Sequence, residues 1–151
     1  MHTCFDIANY FLKCQDEDAG DIMSNMKLQK LVYYAQGFSL AMFGKPLFNE
    51  EIMAWEHGPV CPVLWNYYKK YRSGLIPIPR DVNAYDLFSK QEREVLDEVY
   101  LYYGQFSAWK LRNFALSDTP WINAYNNDRS VISIDEMKRY FTTLLKEEDA
   151  T

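Results

Sequence analysis

The stretch EIMAWEHGPVCPVLWNYYKKY, residues 51–71, holds the side chains best suited to chemistry: His57, one of two histidines, stands four positions before Cys61, one of three cysteines. A thiol activated by an imidazole is a nucleophile for hydrolysis. The pair straddles Gly58-Pro59, so its spacing does not put both groups on one helical face, and neither an orienting group nor an oxyanion site is evident. A cysteine hydrolase using Cys61 and His57 is therefore an alternative, not the leading reading. A metal centre needs about four ligands in recognisable spacing, and His2, His57, Cys4, Cys14 and Cys61 contain no such pair. The 21 acidic residues offer carboxylate pairs everywhere and so discriminate nothing, while the six glycines stand singly at element ends and form no phosphate loop. The expectation is a protein without catalytic residues, metal or cofactor.

Composition narrows the class. A chain of 151 residues suits one domain, taken here as 1–151 with no room for a separate DNA-binding domain, and can bury a core without disulfides or metal. Hydrophobic residues at 48% and aromatics at 17% exclude disorder, and no apolar run approaches the roughly 20 residues that span a bilayer. The N-terminus lacks a secretory pattern, and three cysteines without Cys-x-x-Cys spacing fit reduced thiols, so the expected location is the cytoplasm. A net charge of −5 argues against direct nucleic-acid binding, and YKKYR at 68–72 reads as a solvated helix end.

The elements that must carry these residues are mostly helical. Thr3 and Asp6 are spaced as a capping box ahead of Phe5, Ile7, Ala8, Phe11 and Leu12, predicting a helix to about Gln15. QDEDAGD at 15–21 reads as a loop. Leu28, Leu31, Val32, Ala35, Ser39 and Met42 recur at helical spacing between a Ser24 cap and Gly44-Lys45-Pro46, predicting a central helix of about five turns. A short strand around Ile52 and Ala54 precedes the Gly58-Pro59 turn. Val60, Val63, Leu64, Tyr67, Tyr68 and Tyr71 mark a further helix with Pro62 in its first turn, ended by Ser73-Gly74. LIPIPRDVNAYDLF reads as a loop folded over the core. Ser89 and Glu92 cap a helix to about Tyr103, Ser107 caps one through Leu116, Pro120 opens one carrying Trp121, and Ser133 with Glu136 opens the last. The expected fold is mainly α, with six or seven helices and at most one small β-hairpin or short strand pair.

Four Trp and twelve Tyr exceed what a small helical core requires. Trp55, Tyr67 and Trp121 read first as core residues. Adjacent pairs among Tyr33, Tyr34, Tyr67, Tyr68, Tyr71, Tyr102 and Tyr103 cannot both face inward on a lone helix face, so some rings should be exposed, as interfaces favour. The residues thus point to an acidic, aromatic-rich binding domain.

MKLQKLVYYAQGFSLAMFGKPLF, EIMAWEHGPVCPVLW, LSDTPW and ISIDEMKRYF, in this order, resemble the Panacea domain, the SocA-like or GepA-like family of bacterial and phage-associated proteins. The resemblance spans about residues 5–145. Lys27, Leu28, Gln29, Lys30, Leu31, Tyr33 and Tyr34 match its first motif, Ala54, Trp55, Gly58, Pro59 and Val60 its second, and Pro120 and Trp121 its third. His57 departs from the aromatic usual before Gly58-Pro59. The resemblance implies an antitoxin that neutralises a co-encoded protein toxin by direct contact, and alternatively a proteolytic adaptor that hands the toxin to a bacterial protease. Partners on this reading are the toxin and, for an adaptor, the protease, with no membrane.

For the binding surface, Lys27, Lys30 and Tyr34 fall away from the Leu28, Leu31, Val32 and Ala35 stripe and form the expected docking face. The alternative is that the two lysines are solvated or paired with the acids of 15–21. Trp55, Gly58, Pro59 and Trp121 are assigned a structural role, Gly58 and Pro59 setting the corner and Trp55 anchoring it.

Overall fold

The computed structural model describes residues 1–15 and 23–150, with side chains to Glu147. Apart from Gln15, the acidic loop expected at 15–21 lies outside the described residues. Seven α-helices and one two-stranded antiparallel sheet make up the described chain, so the fold is mainly α.

Helix α1, Cys4–Lys13, begins at the Thr3/Asp6 capping box, in which Asp6 N–H donates to the Thr3 hydroxyl and Thr3 N–H to the Asp6 carboxylate. Helix α2, Asn25–Phe43, starts at Ser24, whose hydroxyl accepts from Lys27 N–H, and ends at Gly44 in the left-handed region at φ 77°. α2 is the axis of the molecule, packed by α1, the hairpin and four further helices. Being covered on nearly every side, it buries Asn25, Gln29, Lys30, Gln36 and Ser39 along with its apolar residues, whereas Met42, expected on the buried stripe, is exposed.

Strands β1, Met53–Trp55, and β2, Gly58–Val60, pair with Met53 opposite Val60 and Trp55 opposite Gly58, leaving Glu56 and His57 at the tip. The hairpin is held from behind by Ser130–Ile132: Ala54 N–H donates to Ser130 O and Ile132 N–H to Ile52 O. Helix α3, Pro62–Tyr68, is shorter than the apolar pattern suggests and passes into a 3-10 turn at Lys69–Tyr71. Only Leu64 and Tyr68 of it are buried; Val63 and Tyr67 face outward, because α3 touches the core along a single edge.

The loop at 75–88 does fold over the core, burying Ile76, Ala84 and Phe88. Helix α4, Lys90–Tyr103, opens at the Ser89/Glu92 capping box. Helix α5, Ala108–Ala115, is capped by Ser107, and α6, Thr119–Asn126, carries Pro120 in its first turn after Asp118. Helix α7, Ile134–Ala150, lays Met137 and Phe141 against the core; Ser133 accepts from Glu136 N–H, and the Glu136 carboxylate accepts the Asn123 amide. Among the described residues no helix is long and apolar enough to cross a membrane.

Candidate functional site

Two polar side chains of α2 grip the hairpin. Gln29 accepts Cys61 N–H at 2.9 Å and donates its amide to Asn25 Oδ1 at 3.0 Å, while Asn25 donates to Trp65 O at 3.1 Å. One residue on, Lys30 Nζ donates to Pro59 O at 3.1 Å. Gly58 makes room for it: a Cβ there would stand 2.9 Å from Lys30 Cε, and its φ of +110° disfavours any other L-residue. The far side of the hairpin is pinned by α6, where Trp121 Nε1–H donates to Trp55 O at 2.9 Å and the Trp121 ring stacks on Tyr125. Trp55 meets Trp65 edge to face. Gln29, Lys30, Trp55, Gly58, Pro59 and Trp121 thus form one assembly across α2, the hairpin and α6.

The expected docking face of Lys27, Lys30 and Tyr34 is corrected by this arrangement. Lys30 is 0% exposed and Tyr34 2%. The faces of α2 that a lone helix would offer to solvent are covered: Tyr34 is stacked on Tyr103 of α4 at 4.0 Å and meets Phe141 of α7 edge-on, and Lys30 lies under the hairpin. Lys27 is partly buried, its Nζ donating to Gly104 O at 2.6 Å. Burial lowers the Lys30 ammonium from its usual 10.5 to about 7, with a further push from the Arg112 charge.

A second polar knot joins α2, α6 and α7. Asp118, buried at the start of α6, accepts hydrogen bonds from Tyr33 and Tyr34 on one carboxylate oxygen and from Tyr140 on the other. Burial raises its carboxyl to about 6 despite the three phenols, which by themselves favour the ionised form. Asp118 occupies the N-cap position of α6, yet its side chain makes no capping bond.

The cysteine and histidine of the opening motif sit in different environments. Cys61 is buried against Cys4, and the hydrogen bond between the two thiols, with burial added, pushes the Cys4 thiol upward, whereas His57 stands exposed at the hairpin tip. All three cysteines are free thiols. Among the described residues no cluster of three or more His, Cys, Asp or Glu could hold a metal ion.

What the outer surface offers is aromatic. Leu101 and Tyr102 at the end of α4 and Trp109 on α5 are exposed, Trp109 by 66%. The Arg112 guanidinium lies 4.6 Å from the Trp109 ring centre. Tyr102, Phe106 and Phe114 continue edge to face, with Lys110 over Phe114. The sequence reading missed Trp109 and Arg112; their signal was an aromatic and a cation three residues apart on the side of α5 away from Leu111 and Ala115.

A family model described as "Antitoxin SocA-like, Panacea domain" matches residues 28–122. A protein described as "Antitoxin SocA" from Caulobacter vibrioides (strain NA1000 / CB15N) is 46% identical over 46 residues, which is 30% of this chain and 24% of that relative. The matched part therefore spans about a quarter of the relative's length. No solved structure matches the chain. The family match runs from α2 through the hairpin to Trp121, covering the whole interlocked assembly and more than half the sequence, and on that ground the chain belongs to the antitoxin SocA-like, Panacea-domain family.

Proposed function

We propose that this chain is an antitoxin that neutralises a protein toxin encoded by a neighbouring gene, through direct binding and without catalysing a reaction. The observation that carries the reading is the family match over the α2, hairpin and α6 assembly. Two features support it. The polar residues of the family motifs are spent on internal hydrogen bonds, Gln29 and Lys30 to the hairpin backbone and Trp121 to Trp55, so they work as scaffold. The surface meanwhile carries exposed Tyr102, Trp109 and Tyr67, residue types that concentrate binding energy at interfaces.

The test is co-expression. The neighbouring gene, induced alone in a bacterial host, should arrest growth; induced with this chain it should not, and the two proteins should co-purify. A neighbour that is harmless, or an arrest that this chain does not relieve, overturns the reading. Rescue that disappears in protease-deficient hosts would favour the adaptor instead.

A further inference from the structure

A protein of net charge −5 brings two basic side chains, Lys30 and Arg112, near one another where α2, α5 and the hairpin meet. Lys30 is fully buried, and its amine donates to a neutral carbonyl, Pro59 O. Arg112 on α5 lowers the proton affinity of Lys30, and neither side chain forms an ion pair among the described residues. The Arg112 Nη1 donates to Asn113 Oδ1 at 3.1 Å, a neutral acceptor, and its buried Nε has no hydrogen-bond partner among the described residues. Buried basic groups are normally paired with acids, so an arginine and a lysine without an ion pair among the described residues are unusual. Arg112 itself is partly buried and lies beside the exposed Trp109 ring.

We propose that Arg112, braced by Trp109 and backed by Lys30, receives a carboxylate: a Glu or Asp side chain on an acidic segment of the partner protein. The inference rests on the antitoxin reading for the partner being a protein, and adds the surface and chemistry by which it is held. A guanidinium edge fits a carboxylate in a two-point contact, and the flat indole beside it supplies apolar area for the stem of the same side chain. A nucleic-acid backbone would need several clustered Lys and Arg, whereas a single guanidinium beside an indole suits one carboxylate. Arg and Trp are also the residue types most enriched among interface hot spots.

The test uses the full chain, ¹⁵N-labelled, titrated with a hexaglutamate peptide while the Arg112 Nε–H and Trp109 Nε1–H signals are followed. Both should shift saturably, and the affinity should fall as salt rises. Arg112→Gln should weaken binding by at least about tenfold, as expected when one partner of an interfacial charge pair is removed. Should that variant fail to fold, Trp109→Ala, which truncates a largely exposed ring, decides: it should weaken binding about threefold or more, the lower end for a hot-spot ring. Shifts that are absent, or that gather on Lys69–Arg72, overturn the proposal. A neighbouring-gene product that fails to bind would sink the antitoxin reading, whereas the peptide titration judges Arg112 independently.

Discussion

A buried lysine whose amine donates to a backbone carbonyl makes stability depend on pH in a direction that can be worked out. In the unfolded chain Lys30 holds its proton up to about 10.5, while in the fold it releases it at about 7. Below the lower value both states are protonated and the cost of burying the ammonium is fully present; as pH rises past it, the folded state sheds the proton, the unfolded state keeps it, and stability increases. The slope from this one group approaches about 1.4 kcal/mol per pH unit. The useful window runs from about 7 to 9, since the buried thiols of Cys4 and Cys14, raised above the usual 9.0, reverse the trend beyond it. Urea unfolding of the wild type should show this rise, and Lys30→Met should flatten it; equal slopes would mean that water reaches the amine in the folded state. Sequence reasoning put Lys30 on a docking face because spacing along a helix orders side chains around it. Spacing carries no information on how many neighbours that helix has.

At the scale of elements, short-range signals were legible and long-range ones were not. The capping boxes at Thr3 and Ser89 form as their spacing indicates, because donor and acceptor lie three residues apart. The Ser24 cap and the Gly44 stop are local in the same sense. The tyrosine pairs show the limit. Tyr67 is exposed beside buried Tyr68, and Tyr102 is exposed beside partly buried Tyr103, yet Tyr33 and Tyr34 are both buried, since α7 and α4 close over two faces of α2 at once. The α2 and α7 contact depends on Gly37, where a Cβ would clash with the Cε2, Cδ2 and Cζ atoms of the fully buried Phe141 ring. Gly37→Ala gains up to about 1 kcal/mol of helix propensity. Overpacking costs about 1–3 kcal/mol and should win, because the ring has nowhere to move. Chemical denaturation should show the variant less stable, and Gly37→Ala with Phe141→Leu should recover part of the loss; an unchanged midpoint in the single variant would show that α7 yields freely.

For the whole molecule, the family match and the folding unit differ. Residues 28–122 leave out α1 and α7, yet α1 contributes Ile7 and Phe11 to the core and α7 contributes Met137 and Phe141. Tyr140 also supplies one of the three phenols on Asp118. Deleting residues 134–151 should therefore abolish cooperative unfolding, read by circular dichroism and amide shift dispersion; a truncated chain that melts cooperatively would show that the matched segment folds alone. The sequence by itself determined the helices, their caps, the glycine corner and the family, all of which rest on short-range periodicity or on ordered motifs. It also showed aromatic residues in excess of a small core. Only the tertiary structure decided which of those rings are exposed, that Lys30 and Tyr34 lie inside, that Asp118 gathers three tyrosines, and that Arg112 and Trp109 meet at the surface. Each of these depends on elements far apart in the chain covering one another, and burial is a property of that covering.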